Sequence, residues 1–142
     1  MSRITSPKDY IYEALSTLHN IAVVGLSSKP ERPSYKISKY MKQKGYRIIP
    51  VNPNETEVLG RHAYASLLDV KETIEIVNVF RRSEFIPEIV EQAIQMKARL
   101  IWMQEGVSHA KAAQRAREAG LKVVEDRCIL KEHARKNRVE RF

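Results

Sequence analysis

The chain has 142 residues, 43% of them apolar, so it is long enough to bury one hydrophobic core of ordinary size. Its single cysteine excludes an internal disulfide, and it has neither a membrane-spanning stretch of roughly 20 apolar residues nor a secretory signal, so we expect a cytoplasmic protein. The formal net charge of +8 favours anionic partners, either phosphate-bearing cofactors or nucleic acid.

The first predicted element is a helix in which Ser6 is the N-cap and Pro7 the first helical residue. The continuous apolar run Ile21–Gly25 then has the length of a buried strand. A loop leads to a second helix, predicted from about Ser34 to Lys44 and ended by Gly45.

The second strand is predicted over Tyr46–Asn52, and Pro50 and Pro53 mark its end. A loop and a short helical piece near residues 66–70 precede a third strand over Ile74–Phe80. A helix then runs from about Ser83 to Lys97. The remaining predicted elements are a strand over residues 99–104, a helix over 109–120, a strand over 121–128 and a basic tail over 129–142.

Strict alternation of strands and helices predicts right-handed crossovers and a mostly parallel sheet. We therefore predict a Rossmann-like, doubly wound α/β fold with five to six strands and helices on both faces, as one domain over residues 1–142. In such folds the ligand lies at the carboxyl ends of the strands, where the strand order reverses.

The loop after the first strand combines several groups that bind anions. Gly25 permits a sharp turn and a close approach of the backbone, and the helix starting near Ser34 presents unpaired N–H groups. Hydroxyl groups and positive charges come from Ser27, Ser28, Lys29 and Arg32. This pattern predicts a phosphate-binding loop, and the alternative is a surface loop in which Ser34 only caps the helix.

The end of the second strand argues against a nicotinamide cofactor. NAD-binding domains normally place Asp or Glu there, about 20 residues beyond the glycine loop, whereas this chain has Asn52. Glu55 and Glu57 follow only after Pro53, and Arg61 is well downstream of where an NADP site would need it.

Two further strand ends carry polar groups. Arg81 and Arg82 follow Phe80, and guanidinium groups suit phosphates, although the pair could also lie on the surface or tie the sheet edge to a glutamate. The turn Met103–Gly106 contains Gln104 and Glu105, which could bond a purine, a ribose or an amide. A turn that only needs its glycine explains this segment almost as well.

The chain shows no catalytic constellation. Its four histidines are scattered, no G-x-S-x-G elbow is present and no Cys/His cluster has zinc-ligand spacing. Cys128 follows an apolar strand, so it is either an inert buried thiol or a thiol close to the ligand. Residues 127–142 contain six Lys or Arg and two Glu, and we interpret the tail as a solvated or frayed basic helix.

Four segments match a family pattern in order and spacing. They are VVGLSSKPERPSYKISKYMKQKGYRIIPVNPNETEVLG, IVNVFRRSEFIPEIVEQAI, WMQEGV and AGLKVVEDRC. Over about Ile21–His133 the chain resembles the small single-domain CoA-binding proteins of bacteria and archaea, whose domain is similar to the CoA-binding domain of the succinyl-CoA synthetase α subunit.

The resemblance implies binding of coenzyme A or an acyl-CoA by a non-catalytic binding or regulatory module. The enzyme works through a phosphorylated histidine in a second domain that this chain lacks, so ligase activity is not implied. The implied CoA-binding residues are Gly25, Leu26, Ser27, Ser28, Lys29, Arg32, Ser34, Tyr35, Val51, Asn52, Pro53, Phe80, Arg81, Arg82, Met103, Gln104, Glu105, Gly106 and Cys128.

Several alternatives remain open at this stage. An NAD(P)-binding, oxidoreductase-like protein is disfavoured by Asn52 and by the missing acid–base pair. Nucleic-acid binding through the tail rests on charge alone, since Phe142 is its only aromatic residue. A homodimer or a protein partner is left open. If the pantetheine arm reaches the last strand end, its thiol could form a mixed disulfide with Cys128.

Overall fold

The structure, a computed structural model, describes residues 7–140. Within them the elements are α1 (Pro7–Thr17), β1 (Asn20–Val24), α2 (Pro33–Gln43), β2 (Arg47–Val51), β3 (Glu57–Val58), β4 (Arg61–His62), β5 (Ile76–Val79), α3 (Ile86–Gln95), β6 (Leu100–Met103), α4 (Ala110–Glu118), β7 (Lys122–Val124) and α5 (Ile129–Glu140). Short 3₁₀ turns occupy Leu67–Asp69 and Ser83–Phe85. The predicted N-cap Ser6 and the last two residues of the predicted tail lie outside the described residues.

The main sheet has five parallel strands in the order β2-β1-β5-β6-β7. The Rossmann-like α/β prediction is therefore confirmed, with five strands rather than six. The strands are nearly continuous apolar runs because helices cover both faces of the sheet. One core cluster packs α3 and α4 against the sheet through residues such as Val90 and Ala116, and the other packs α1, α2 and α5 through Ile11, Met41 and Ile129.

The second strand differs from the prediction because Pro50 lies inside β2, opposite Val23, instead of marking its end. β2 is an edge strand of the main sheet. The Pro50 carbonyl accepts the Tyr64 N–H at 3.0 Å on the side away from β1. The missing proline N–H faces that same side, so the ladder between β1 and β2 loses no hydrogen bond.

Residues 57–62 form a small antiparallel hairpin, β3–β4, in a segment predicted to be a loop. Its two strands have two residues each, too short to show an alternating pattern in the sequence. Glu72 ties this hairpin to the sheet through ion pairs with Arg47 of β2 and Arg61 of β4. Partial burial acts to raise the pKa of Glu72, but the two arginines outweigh it and the pKa is lowered.

The C-terminal segment is a packed helix, so the interpretation of residues 129–142 as a solvated or frayed tail is wrong for residues 129–140. α5 packs against α1 and α2. Its residues Glu132, His133 and Lys136 are buried although they are polar. The Tyr40 hydroxyl of α2 lies 2.9 Å from Nδ1 of His133, so a hydrogen bond joins the two helices. No helix within residues 7–140 has the length and apolar content needed to cross a membrane.

Candidate functional site

The strand order reverses between β1 and β5, so the crevice of this fold lies between Gly25 and Phe80. Gly25 has a φ of +89°, and a Cβ atom at this position would lie 2.5 Å from the Phe80 carbonyl oxygen. The strand ends are held by backbone hydrogen bonds from Gly25 N to Val51 O and from Phe80 N to Val24 O, both 2.8 Å. Only glycine fits this position, and the backbone there is open to a ligand.

The loop after Gly25 is held by its serines. The buried Ser34 hydroxyl oxygen accepts the Ser27 N–H at 3.0 Å, and the Ser27 hydroxyl oxygen accepts the Lys29 N–H at 3.1 Å. α2 begins at Pro33, and Arg32 occupies the N-cap position without a side-chain cap. The alternative in which Ser34 only caps the helix is therefore wrong, since Ser34 is the second residue of α2 and its side chain anchors the loop.

A cavity of about 390 Å³ opens above this loop. Its positive charges come from Lys29 and Arg32, and its one carboxylate comes from Glu55. Its lining is Gly25, Ser27, Lys29, Arg32, Pro33, Ser34, Asn52, Asn54, Glu55 and Phe80. Exposed cations next to the N-terminus of an eleven-residue helix create a positive potential, which suits phosphate groups.

Two residues of the predicted site support this loop from behind. Leu26 is fully buried in the core, so only its backbone can meet a ligand. The Asn52 amide donates to the Leu26 carbonyl at 3.0 Å, and its side-chain oxygen accepts the Asn54 N–H at 2.9 Å. Asn52 thus fixes the relative position of two strand ends. Tyr35 is half-buried and packs against the core on the α2 side.

A second, half-apolar cavity of about 240 Å³ lies on the other side of Gly25. Arg81 lines it and stacks on Phe85, with the guanidinium carbon 4.1 Å from the ring centroid. Arg82 differs, since its side chain is 79% exposed and pairs with Glu84 at 3.1 Å. The other lining residues are Val24, Val51, Pro53, Ala65, Ser66, Leu67, Glu88, Ile89 and Gln92.

Sequence reasoning missed the far wall of this second cavity, which comes from the 3₁₀ turn at Leu67 and from the start of α3. Phe85 and Gln92 lie at the start of α3 and within it, so neither follows a strand directly. The signal that could have found Phe85 is its position four residues after Arg81, within reach of a cation–π contact at the start of a helix.

The turn after β6 is buried at its start and exposed at its end. Met103 and Gln104 are buried, and the Gln104 amide donates to the Asn78 side-chain oxygen at 2.8 Å inside the sheet. The Gly106 N–H donates to the Asp126 carboxylate at 2.7 Å. Glu105 is exposed and pairs with Lys131 at 2.9 Å; the hydrogen bond to Glu105 raises the pKa of Lys131.

A third cavity, of about 380 Å³, lies at the ends of β6 and β7 and the start of α5. Cys128 lines it and is only 6% exposed. The Arg127 backbone holds this segment in place, because its N–H donates to the Met103 carbonyl at 3.2 Å and its carbonyl accepts the Trp102 indole N–H at 2.8 Å. The other lining residues are Glu105, Glu125, Asp126, Arg127, Lys131, Glu132 and Arg135.

Three of the four histidines have structural positions. His109 caps α4, since its Nδ1 accepts the Ala112 N–H at 3.1 Å, and His62 packs edge-on against Tyr64. His133 bonds Tyr40 in the α2–α5 contact. Among residues 7–140 no three His, Cys, Asp or Glu side chains converge as a metal ion requires.

Comparisons with known proteins find relatives of similar sequence and fold. Residues 19–134 match the family model described as a CoA binding domain. The uncharacterized protein YneT of Bacillus subtilis is 45% identical over 127 residues, which cover 89% of this chain and 94% of YneT. The solved structure of a hypothetical protein from Pyrococcus horikoshii has a TM-score of 0.90 at 39% identity, covering 96% of this chain and 99% of that one.

A larger enzyme carries a similar segment. The α subunit of ADP-forming acetate–CoA ligase I of Pyrococcus furiosus is 30% identical over 95 residues, which are 63% of this chain but only 21% of that subunit. The chain belongs to the CoA-binding domain family, as its resemblance to single-domain CoA-binding proteins and to the CoA-binding domain of succinyl-CoA synthetase predicted.

Proposed function

We propose that this protein binds coenzyme A or an acyl-CoA at the carboxyl ends of its strands, as a non-catalytic binding or regulatory module. The observation that carries the proposal is the junction of Gly25 and Phe80. Gly25 has no side chain to cover the backbone there, and the cavity beside it presents Lys29, Arg32 and a helix N-terminus to an anion. The family match and the name of the acetate–CoA ligase relative support CoA as that anion.

In this proposal, each of the two cavities beside Gly25 binds a different part of the ligand. The pyrophosphate lies over the loop Gly25–Ser34, where Lys29 and Arg32 meet it. The half-apolar cavity takes the adenosine part, because Val51 and Phe85 provide apolar surface for a flat ring. Arg81 lies at the boundary between the two cavities and meets the 3′-phosphate.

The thiol end of the ligand reaches the cavity beside Cys128. The strands β1, β5 and β6 are neighbours at spacings of about 4.8 Å, so the end of β6 lies about 10 Å from that of β1. The Arg127 N–H bonds the last residue of β6, which places Cys128 at that distance along the crevice. An extended pantetheine arm covers this span. Met103 and Gln104 support the crevice from beneath, while Glu105 and Gly106 form its rim.

Isothermal titration tests the proposal. Cofactor-stripped protein is titrated with CoA, with dephospho-CoA to isolate the 3′-phosphate, and with NADP as a phosphorylated dinucleotide control. We expect micromolar binding of CoA, weaker binding of dephospho-CoA and no measurable binding of NADP. Absence of heat with CoA, or equal affinities for CoA and NADP, would contradict the proposal.

A further inference from the structure

The Glu55 carboxylate contacts the loop Gly25–Ser34, although Glu55 follows the second strand in the sequence. A turn closed by the hydrogen bond from Glu55 N to Asn52 O, 3.2 Å long, reverses the chain. The Glu55 side chain then reaches the loop after β1, and its Oε2 accepts the Ser28 N–H at 2.8 Å. Glu55 is the one acid in the lining of the cavity above the loop Gly25–Ser34.

This carboxylate makes the kind of hydrogen bond that phosphate oxygens make with backbone N–H groups. A distance of 2.8 Å is typical of a charge-assisted hydrogen bond from N–H to an anionic oxygen. Ser28 lies between Ser27 and Lys29, which both line the cavity, in the loop that leads to the N-terminus of α2. Backbone N–H groups of such loops bind anions. The protein itself therefore supplies one negative charge to this loop.

The cations of the cavity remain available. Within residues 7–140 neither Lys29 nor Arg32 forms an ion pair within 4.0 Å, and Glu55 pairs with no Lys or Arg there. A ligand phosphate thus meets two unpaired cations and one carboxylate on the same loop. Like charges at this distance repel, so the phosphate and the carboxylate cannot both bond Ser28.

We propose that Glu55 is a specificity-determining residue, whose carboxylate occupies the position of a phosphate oxygen on Ser28 and leaves when the ligand binds. The inference rests on the proposed function, since it concerns the same site. A ligand gains binding free energy from Lys29 and Arg32, but it must displace the Glu55 carboxylate from the Ser28 N–H. Polyphosphate ligands such as the pyrophosphate of CoA carry enough charge for this exchange, whereas a single weak anion gains too little.

If Glu55 instead bonds the ligand directly, the expected effect of removing its charge is reversed. Acidic residues in dinucleotide sites accept hydrogen bonds from ribose hydroxyls and stay in place when the ligand binds. If Glu55 acts in this way, removing its charge weakens binding. If it is displaced, removing its charge strengthens binding.

The chain offers a matched control for this test. Glu57 is two residues further on, is exposed, and does not line the cavity beside Gly25. Glu55→Gln and Glu57→Gln remove the same charge from the same segment, so their comparison separates the contact with Ser28 from the general change in potential. Glutamine keeps the size of the side chain and an oxygen for the Ser28 N–H, so we expect both variants to fold.

CoA affinity is measured by titration calorimetry for the wild type, Glu55→Gln and Glu57→Gln. We expect Glu55→Gln to bind CoA roughly tenfold more tightly, a factor that corresponds to about 1.4 kcal/mol, and Glu57→Gln to stay within about twofold of the wild type. Weaker binding by Glu55→Gln, or equal effects of the two substitutions, would overturn the inference.

A second measurement keeps this test separate from the proposed function. If the wild type binds no CoA, the function falls, and the wild type and Glu55→Gln are titrated with inorganic pyrophosphate while the Ser28 amide is followed by ¹H–¹⁵N NMR. We expect the Ser28 signal to shift at a lower pyrophosphate concentration in Glu55→Gln. Identical titrations, or a Ser28 signal that moves in neither protein, would show that this amide is not an exchangeable anion position.

Discussion

Gly25→Ala tests the junction on which the site is built. The added Cβ would lie 2.5 Å from the Phe80 carbonyl oxygen and 3.2 Å from its carbonyl carbon, closer than side chains approach backbone atoms. The Phe80 backbone cannot yield easily, because its N–H is bonded to the Val24 carbonyl at 2.8 Å. The substitution therefore forces β1 and β5 apart where the strand order reverses.

The cost has two parts. An L-residue at a φ of +89° loses about 1–2 kcal/mol relative to glycine. Insertion of a methyl group into a tightly packed position adds about 1–3 kcal/mol. We therefore expect Gly25→Ala to lower the free energy of unfolding by about 2–5 kcal/mol, and the midpoint of thermal unfolding falls by roughly 2–4 °C for each kcal/mol in a chain of this size.

Gly45→Ala is the matched control, because Gly45 has a similar φ of +97° and no atom within 4 Å of its added Cβ. Urea denaturation of both variants measures their free energies of unfolding. We expect Gly45→Ala to show only the backbone cost of about 1–2 kcal/mol and to keep the CoA affinity of the wild type. Equal destabilisation by the two substitutions would refute the close approach of Gly25 to Phe80.

Three further predictions concern other parts of the molecule. Arg81→Ala should weaken CoA by about 1.5–3 kcal/mol, and dephospho-CoA by less, in calorimetric titrations, while Arg82→Ala leaves both unchanged because Arg82 is exposed and lines neither cavity beside Gly25. Equal losses for both ligands would place Arg81 elsewhere. Glu72→Gln should lower the free energy of unfolding by up to about 1 kcal/mol at neutral pH. Because its two arginines lower the pKa of Glu72, this contribution is present above the ordinary pKa of 4.5 and disappears as the pH falls below it; a pH-independent loss in urea titrations would contradict the ion pairs. Incubation with CoA disulfide should add one CoA mass to the intact protein, as the Cys128 thiolate attacks the disulfide and releases one CoA thiol. An equal adduct on Cys128→Ser, or none on the wild type, would contradict a thiol end at that cavity.

Most of the fold could be predicted from the sequence because the signals are local. The apolar run before Gly25 and the helical spacing between Ser83 and Lys97 each depend on residues within one element. Gly45 ends its helix as predicted, with a positive φ and its N–H bonded to the Lys42 carbonyl. Alternation of such elements was enough to predict a parallel sheet with its ligand site at the carboxyl ends of the strands.

The composition of the candidate site could be predicted only where residues follow a strand directly. Lys29 and Arg32 were found because they stand in the loop after Gly25. Phe85 was missed because it reaches the crevice from the start of a helix. The tail was misinterpreted because its charge suggests exposure, whereas α5 buries His133 against Tyr40 of α2.

The sequence by itself determined the strands of the main sheet, the helices between them, their order and the loop that suits phosphate, since each depends on neighbours along the chain. Only the tertiary structure decided which strands are adjacent, because the order β2-β1-β5 depends on the packing of the whole sheet. That order brings Gly25 against Phe80, and the turn beyond β2 brings Glu55 onto Ser28, 27 residues away. Contacts over such separations leave no local pattern in the sequence. The set of charged groups that meet at the site could therefore be identified only from the folded chain.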